Sequence, residues 1–318
     1  MQTILVTGGA GFIGSHLCDK LVSEGRTVIC LDNFDDFYER SIKERNLEDL
    51  NKQQNFKLVE GDIRDLDLLD QLFAAHNFDL VIHLAAKAGV RPSITDPVLY
   101  QDVNLRGTQY ILDCMKKYEV SKLLFASSSS VYGGNTKVPF SEQDEVNNPI
   151  SPYAATKRAG ELMCYTYHHL YNINVACLRF FTVYGPRQRP EMAIHKFTRL
   201  IHAGEELPAF GDGSTRRDYT YVDDIIQGIA KIAEKDFTYD IINLGESQTI
   251  TLKELIDAIG KNLGILPKIN WLPEQPGDVS ITYADVSKAR AEYGYKPTTN
   301  VDTGVGKFIE WYHAMVEA

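Results

Sequence analysis

Six short apolar runs, separated by turns and amphipathic stretches, fill the first part of this 318-residue chain. They are Thr3–Thr7, Thr27–Leu31, Phe56–Glu60, Leu80–Ala85, Leu123–Ser127 and Asn174–Phe181. Between them lie stretches with helical spacing of apolar residues, among them Ile13–Glu24, Leu66–Ala75 and Asn104–Lys117. Apolar strands separated by helices have no polar face to turn to water, so they predict a parallel sheet covered on both sides. The expected fold class is therefore α/β, with a doubly wound sheet.

Beyond residue 182 the texture changes. Gly185-Pro186, Pro190, Pro208, Gly211, Gly213, Pro267 and Pro276-Gly277 break the chain, and helices such as Ala193–Ala203 and Leu252–Leu263 are shorter. This divides the chain into a first domain over 1–182 and a smaller, mostly C-terminal α/β domain over 183–220 and 245–318. The helix-then-strand pattern of Tyr221–Leu244 is expected to return to the first sheet.

Lys plus Arg is 33 against 43 for Asp plus Glu, a net charge of −10, which argues against nucleic acid or an anionic membrane as partner. No apolar run approaches 18 residues and no basic-then-apolar leader opens the chain, so neither a membrane span nor a signal peptide is expected. The cysteines, 18, 30, 114, 164 and 177, are odd in number and form no Cys-x-x-Cys pair. Free thiols in a reducing cytoplasm and no metal site follow.

The stretch Thr7-Gly-Gly-Ala-Gly-Phe-Ile-Gly14 joins the first strand to the first helix. Glycines at 8, 11 and 14 permit a tight turn, close approach of a diphosphate and close helix–strand packing, with Phe12 and Ile13 opening the helix. Asp32 and Asn33 follow the second strand; a carboxylate there accepts from a ribose 2′-hydroxyl and repels a 2′-phosphate, so NAD is expected rather than NADP. Asp62 and Ile63, after the third strand, either line an adenine or supply a helix N-cap at Asp62.

Tyr153 and Lys157 are four apart in helix-forming sequence and share one face. A neighbouring ammonium favours a phenolate, which predicts that Lys157 lowers the Tyr153 pKa and makes the phenol usable as a base. Tyr118 and Lys122 have the same spacing but straddle a helix end. Ser127, Ser128, Ser129 and Ser130 crowd the end of the fifth strand, where doubly wound sheets bind their ligands.

Together these residues resemble the extended short-chain dehydrogenase/reductase family, with its Rossmann sheet. The resemblance spans nearly the whole chain through Thr7–Gly14, His83–Ala86, Ser127–Gly133, Tyr153–Lys157, Arg179–Pro186 and Arg217–Asp224. It implies an NAD-dependent nucleotide-sugar 4-epimerase, with Ser128, Tyr153 and Lys157 catalytic. Ser127, Leu84, Ala85, Ala86, Lys87 and Asn104 would contact the cofactor. Sugar-nucleotide dehydratases and uronate decarboxylases of the family carry acids where Ser129 and Ser130 stand, which points to oxidation and re-reduction at one carbon. Tyr153 would take the 4-hydroxyl proton as NAD accepts the C4 hydride; the 4-keto sugar would then turn and be reduced on its other face.

Thr182, Arg189-Pro-Glu-Met192, Ala88-Gly-Val-Arg91 and Gln275-Pro-Gly-Asp-Val279 resemble the family's UDP-glucuronate epimerases. Thr182 and Arg189 can bind a C6 carboxylate. The resemblance further implies that Arg91, Ser128, Ser129, Lys196, Leu207, Phe210, Arg217 and Asp278 contact the UDP-sugar, and that two helices pair across a homodimer. An epimerase of neutral UDP-hexoses, a UDP-uronate decarboxylase and a catalytically silent NAD-binding sensor are the alternatives. Arg179–Arg217 carries seven basic and four acidic residues, a net of +3 that leaves −13 for the rest, so cations are expected to gather where the sugar nucleotide docks.

Overall fold

The computed structural model of the protein describes residues 2–274 and 279–316. The chain opens with β1 (Thr3–Thr7), α1 (Phe12–Ser23), β2 (Thr27–Asp32), α2 (Arg40–Asn46), β3 (Phe56–Glu60), α3 (Leu66–Ala75) and β4 (Leu80–His83). It continues through α4 (Val90–Thr95), α5 (Pro97–Gln101), α6 (Gly107–Lys117), β5 (Lys122–Ser128), α7 (Pro152–Tyr171) and β6 (Asn174–Phe180). The remainder holds β7 (Thr182–Tyr184), α8 (Ala193–His202), β8 (Glu206–Phe210), β9 (Arg216–Arg217), β10 (Tyr219–Tyr221), α9 (Val222–Ala233) and β11 (Tyr239–Leu244). It ends with β12 (Ile250–Thr251), α10 (Leu252–Leu263), β13 (Lys268–Leu272), α11 (Ser287–Tyr293) and α12 (Val301–Val316).

Seven strands form one parallel sheet in the order β11-β6-β5-β4-β1-β2-β3. The apolar runs are buried on both faces, as their lack of polar alternation predicts. Ile4 and Val6 pack with Leu17 and Leu21 of α1 in one core; Leu5, between them, packs with Leu69 and Leu112 of α3 and α6 in the other. Each such side chain contributes about 1.5–3 kcal/mol on burial. A one-residue slip would exchange the two faces, which fixes the register.

The direction of strand order reverses between β1 and β4, and the crevice of such a sheet opens there, at the carboxyl ends. Register brings Thr7 level with Leu31 and His83, so the segments after β1, β2 and β4 meet. β4 stops at His83, two residues before the apolar run ends. The Leu84 N–H turns to the Thr7 carbonyl (3.1 Å) and the Ala85 N–H to Thr7 Oγ1 (3.2 Å), which carries 84–89 across the crevice.

Two further boundaries differ from the sequence pattern. The helix expected from Asn104 is continuous with α5 through a π-helical turn, Asp102–Arg106, which buries Asn104. The strand expected to include Phe181 ends at Phe180, because the chain steps out of the sheet and Thr182 begins β7, paired in parallel with β10. β11 pairs with β6 at the sheet edge. Two further strand pairs, β8–β13 and β9–β12, stand beside the sheet.

Helix α7 starts at Pro152 because Ser151 caps it, its hydroxyl accepting the Ala154 N–H (3.1 Å). Tyr153, Lys157 and Glu161, spaced by four, run down one face toward β5 and β6. Glu161 accepts from Ser127 Oγ (2.6 Å), from Arg179 Nε (2.8 Å) and Nη2 (2.9 Å) and from Arg158 Nη1 (2.9 Å). All five cysteines are buried and free, and among the described residues no helix is long and apolar enough to cross a membrane.

Candidate active site

A cleft of about 540 Å³ runs over the carboxyl ends of the strands, from the turn after β1 to Arg217 on β9. At its start Gly8 sits at φ +73°, and its N–H bonds the Leu31 carbonyl (2.7 Å). A Cβ on Gly14 would lie 2.1 Å from the Gly8 carbonyl oxygen, so α1 can begin this close to the turn only with glycine there. A Cβ on Gly11 would meet nothing nearer than 3.3 Å, and no side chain caps α1. A Cβ on Gly11 would press on the Gly8 carbonyl, and the uncapped N–H groups of α1 fit a diphosphate. Phe12 and Ile13 line the cleft beside it.

Asp32 is held by two backbone donors, Ala10 N–H (3.0 Å) and Phe34 N–H (2.9 Å). Burial raises its pKa, and the Lys43 ammonium at 4.0 Å pulls against that. Asn33 Nδ2 donates to Asp62 (2.9 Å), and the Arg64 guanidinium holds the Asp62 carboxyl down at about 2. Asp62 does not cap α3: Asp65 does, accepting the Leu68 N–H (3.0 Å). Asp32, Asn33, Asp62 and Ile63 all line the cleft, as do Leu84, Ala85, Ala86 and Lys87.

Asn104 does not line it. Its Oδ1 accepts the Lys87 N–H (2.8 Å) and its Nδ2 donates to the Lys87 carbonyl and to Thr156 Oγ1 (both 3.0 Å). The π turn buries it behind the 84–87 segment, whose wall it holds in place. Ser127 lines the cleft, but its hydroxyl is turned away and committed to Glu161.

Ser128, Tyr153 and Lys157 converge midway along the cleft. The Tyr153 pKa is raised, because burial penalises the phenolate; the Ser128 hydroxyl and then the Arg189 charge favour it. The expectation that Lys157 does this is corrected. Lys157 Nζ donates to the Ala126 carbonyl (2.7 Å) and stands 5.9 Å from the Tyr153 ring centroid. Burial brings Lys157 itself down to about 8. Tyr118 and Lys122 separate as expected, to Asp70 and to the carbonyls of Ala233 and Lys235. His83 is a buried core histidine between Thr7 Oγ1 (2.7 Å) and Thr108 Oγ1 (3.1 Å).

Ser129, Thr182, Arg189 and Arg217 also line the cleft. Arg91, Lys196, Leu207 and Phe210 do not. Alternation along β8 turns Leu207 into the core. Arg91 lies 5.0 Å over the ring of Phe210, so these two meet each other outside the cleft. Gln275 and Asp278 lie outside the described residues. The expected gathering of seven cations is also corrected: only Arg189 and Arg217 of that set reach the cleft. Arg179 is buried against Glu161, Arg187 pairs with Asp19 (2.6 Å) and Arg216 binds Thr249.

Sequence reasoning missed Phe37, Tyr38, Lys43 and Met192, which also line the cleft. The first three lie between β2 and the end of α2, where no periodicity marks them. An aromatic pair after an acidic cofactor residue was the one available hint.

This is the architecture of an extended short-chain dehydrogenase/reductase. The family model described as GDP-mannose 4,6 dehydratase matches residues 5–308, and the chain belongs to that family. The UDP-glucuronate 4-epimerase of Thermodesulfobacterium geofontis is 41% identical over 319 residues, 100% of this chain and 98% of that protein. The structure of UDP-glucuronic acid 4-epimerase from Bacillus cereus in complex with UDP-glucuronic acid and NAD matches with a TM-score of 0.94 at 36% identity, covering 99% of this chain and 100% of that one. UDP-glucose 4-epimerase from Thermotoga maritima with UDP-glucose matches at a TM-score of 0.92 and 33% identity, with 99% and 100% covered.

Lys157 generates a stability prediction. Its pKa of about 8 in the fold lies below the ordinary 10.5, so holding its charge costs stability below pH 8. That cost fades as pH rises from 8 to 10.5. Lys157→Met is expected to be more stable than the parent at pH 7 by on the order of 2 kcal/mol, after allowing for the lost hydrogen bond. The gap should close toward pH 10 in thermal or urea unfolding.

Proposed function

We propose that the protein is an NAD-dependent UDP-sugar 4-epimerase whose substrate is UDP-glucuronate, converted to UDP-galacturonate. The observation that carries the substrate is Arg189, a guanidinium on the wall of the same cleft as Tyr153 and near enough to favour its phenolate. The UDP-glucuronate epimerases similar to this chain over its whole length support the same reading.

NAD, when bound, supplies a place to store the C4 hydride and return it. The glycine turn and Asp32 would hold it, with Asp32 disfavouring a 2′-phosphate. Tyr153 takes the proton of the sugar 4-hydroxyl and later gives it back. Ser128 holds the C4 oxygen, and Lys157 the nicotinamide ribose. Arg217 takes the diphosphate, while Thr182 and Arg189 take the C6 carboxylate, the latter through charge-assisted hydrogen bonds.

The family name denotes a dehydratase, but a shared fold does not fix the chemistry. Elimination needs an acid or base at a second carbon. Among the described residues lining the cleft, the carboxylates are Asp32, Asp35 and Asp62, held by backbone donors, by Lys87 and by Arg64 respectively, and Ser129 and Ser130 stand beside Ser128. One-carbon redox chemistry follows. The 4-keto uronate is a β-keto acid and tends to lose CO₂; Thr182 and Arg189 would hold the carboxylate with its C–C bond out of line with the ketone.

Inversion at C4 with one hydride store requires the ring to present its other face to the cofactor, so the sugar must turn within the cleft. The five free thiols suit a cytoplasmic location. The outer face of α7 exposes Leu162, Tyr165 and Leu170, the surface we assign to a second copy of the chain. Leu162→Glu with Leu170→Glu should sediment as a monomer where the parent is a dimer; a monomeric parent would refute that assignment.

Arg189→Ala is expected to lose about 10- to 100-fold in kcat/KM for UDP-glucuronate, or to release a 4-keto pentose. Wild-type turnover by this variant would contradict the substrate assignment. Ser128→Ala and Arg189→Ala each remove a group that favours the phenolate. The Tyr153 pKa should therefore rise, and the limb of the kcat/KM profile that reports it should move to higher pH in both variants.

A further inference from the structure

Arg189 has a carboxylate on it that belongs to the chain. Glu191 Oε1 lies 3.0 Å from Arg189 Nε, and the guanidinium carbon sits 5.5 Å over the ring of Phe37. Arg189 and Met192 line the cleft, and Glu191 stands between them in sequence with its side chain 41% exposed.

The backbone around this pair is pinned. His16 Nε2, on α1, meets the Pro186 carbonyl (2.9 Å), and Asp19 of the same helix binds Arg187, whose φ is +64°. Gln188 is buried; its amide donates to the Val183 carbonyl (3.2 Å) and accepts the His195 N–H (3.2 Å). The Met192 N–H closes a turn on the Arg189 carbonyl (3.1 Å). With 185–192 fixed at both ends, the Arg189–Glu191 pair opens and closes by side-chain rotation.

This rests on the reading of the substrate as a UDP-uronate. Its ring must turn between oxidation and reduction, so the C6 carboxylate has to leave Arg189 and come back. A guanidinium half out of water and stripped of its partner would resist that departure. We propose that Glu191 is a stand-in carboxylate, closing on Arg189 whenever the sugar's carboxylate leaves it and yielding when the carboxylate returns. Glu191 is a positioning residue: it touches Arg189 and never the reacting carbon. The exchange swaps one ion pair for another of the same chemistry, so it lowers the barrier to turning at the expense of ground-state affinity.

The stand-in predicts a paired effect that a merely structural Glu191 does not. Glu191→Gln removes the competing charge while keeping shape and polarity. Its KM for UDP-glucuronate and its Kd by calorimetry should fall about three- to fivefold, the worth of a partly exposed ion pair, and kcat should fall with them. UDP-xylose, which lacks the carboxylate, should bind the variant and the parent equally. Glu191→Asp, which keeps the charge, should restore kcat. A raised or unchanged KM in Glu191→Gln, or an undiminished kcat, would overturn the proposal. The uronate reading is tested separately: if Arg189→Ala binds UDP-glucuronate as well as the parent does, that reading fails. If Arg189→Ala weakens binding and Glu191→Gln does not tighten it, the stand-in alone fails.

Discussion

The reaction centre depends on one buried ion pair. Glu161 and Arg179 are each 0–1% exposed, and they join α7 to β6 through two hydrogen bonds, with Ser127 of β5 as a third partner. Burial, the largest single effect, would push the Glu161 carboxyl up; Arg179, Ser127 and Arg158 together outweigh it and hold the pKa below the ordinary value. Removing one member of such a pair costs about 3–5 kcal/mol, because the other charge is left stranded. The pair fixes which turn of α7 faces the sheet. Tyr153 and Lys157 precede Glu161 at intervals of four, Ser128 follows Ser127 on β5, and Thr182 lies three residues beyond Arg179, where the chain leaves β6 for β7. Hydroxyl, phenol and ammonium are thus set relative to one another by a contact that none of them makes.

Each carboxylate of the cleft is tied to a local cation or backbone donor: Asp32 near Lys43, Asp35 on Lys87, Asp62 on Arg64. Arg189 and Arg217 line the same cleft, and Arg189 sits over the ring of Phe37, whose N–H bonds Asp35. Tyr153 is balanced by opposing effects, burial against Ser128 and Arg189. The Tyr153 phenol is therefore coupled electrostatically to Arg189.

Much of this was legible in the sequence where local rules act alone. β1, β3 and α3 have the bounds their apolar patterns predict, and the three glycines sit where the turn and α1 require them. Legibility failed where distant partners decide. β4 stops early because Thr7 captures the donors of Leu84 and Ala85. Asn104 and Leu207 have the right positions along the chain, but a π turn and strand alternation point them inward. Four of the seven clustered cations meet structural partners or stay at the surface, and only Arg189 and Arg217 face the cleft, with Lys196 beyond its walls. The expectation that Lys157 lowers the Tyr153 pKa failed for a related reason: spacing puts it on the face of Tyr153, but its ammonium donates to the Ala126 carbonyl.

The central claim is reversible oxidation at a single carbon of UDP-glucuronate, with the hydride kept by the protein's cofactor. It is tested most directly by incubating the purified holoenzyme with UDP-glucuronate deuterated at C4, in ordinary water, and following the products by NMR. The account predicts UDP-galacturonate with deuterium retained at C4 and C5 unexchanged. Deuterium lost to solvent, exchange at C5, or no galacturonate at all would contradict it.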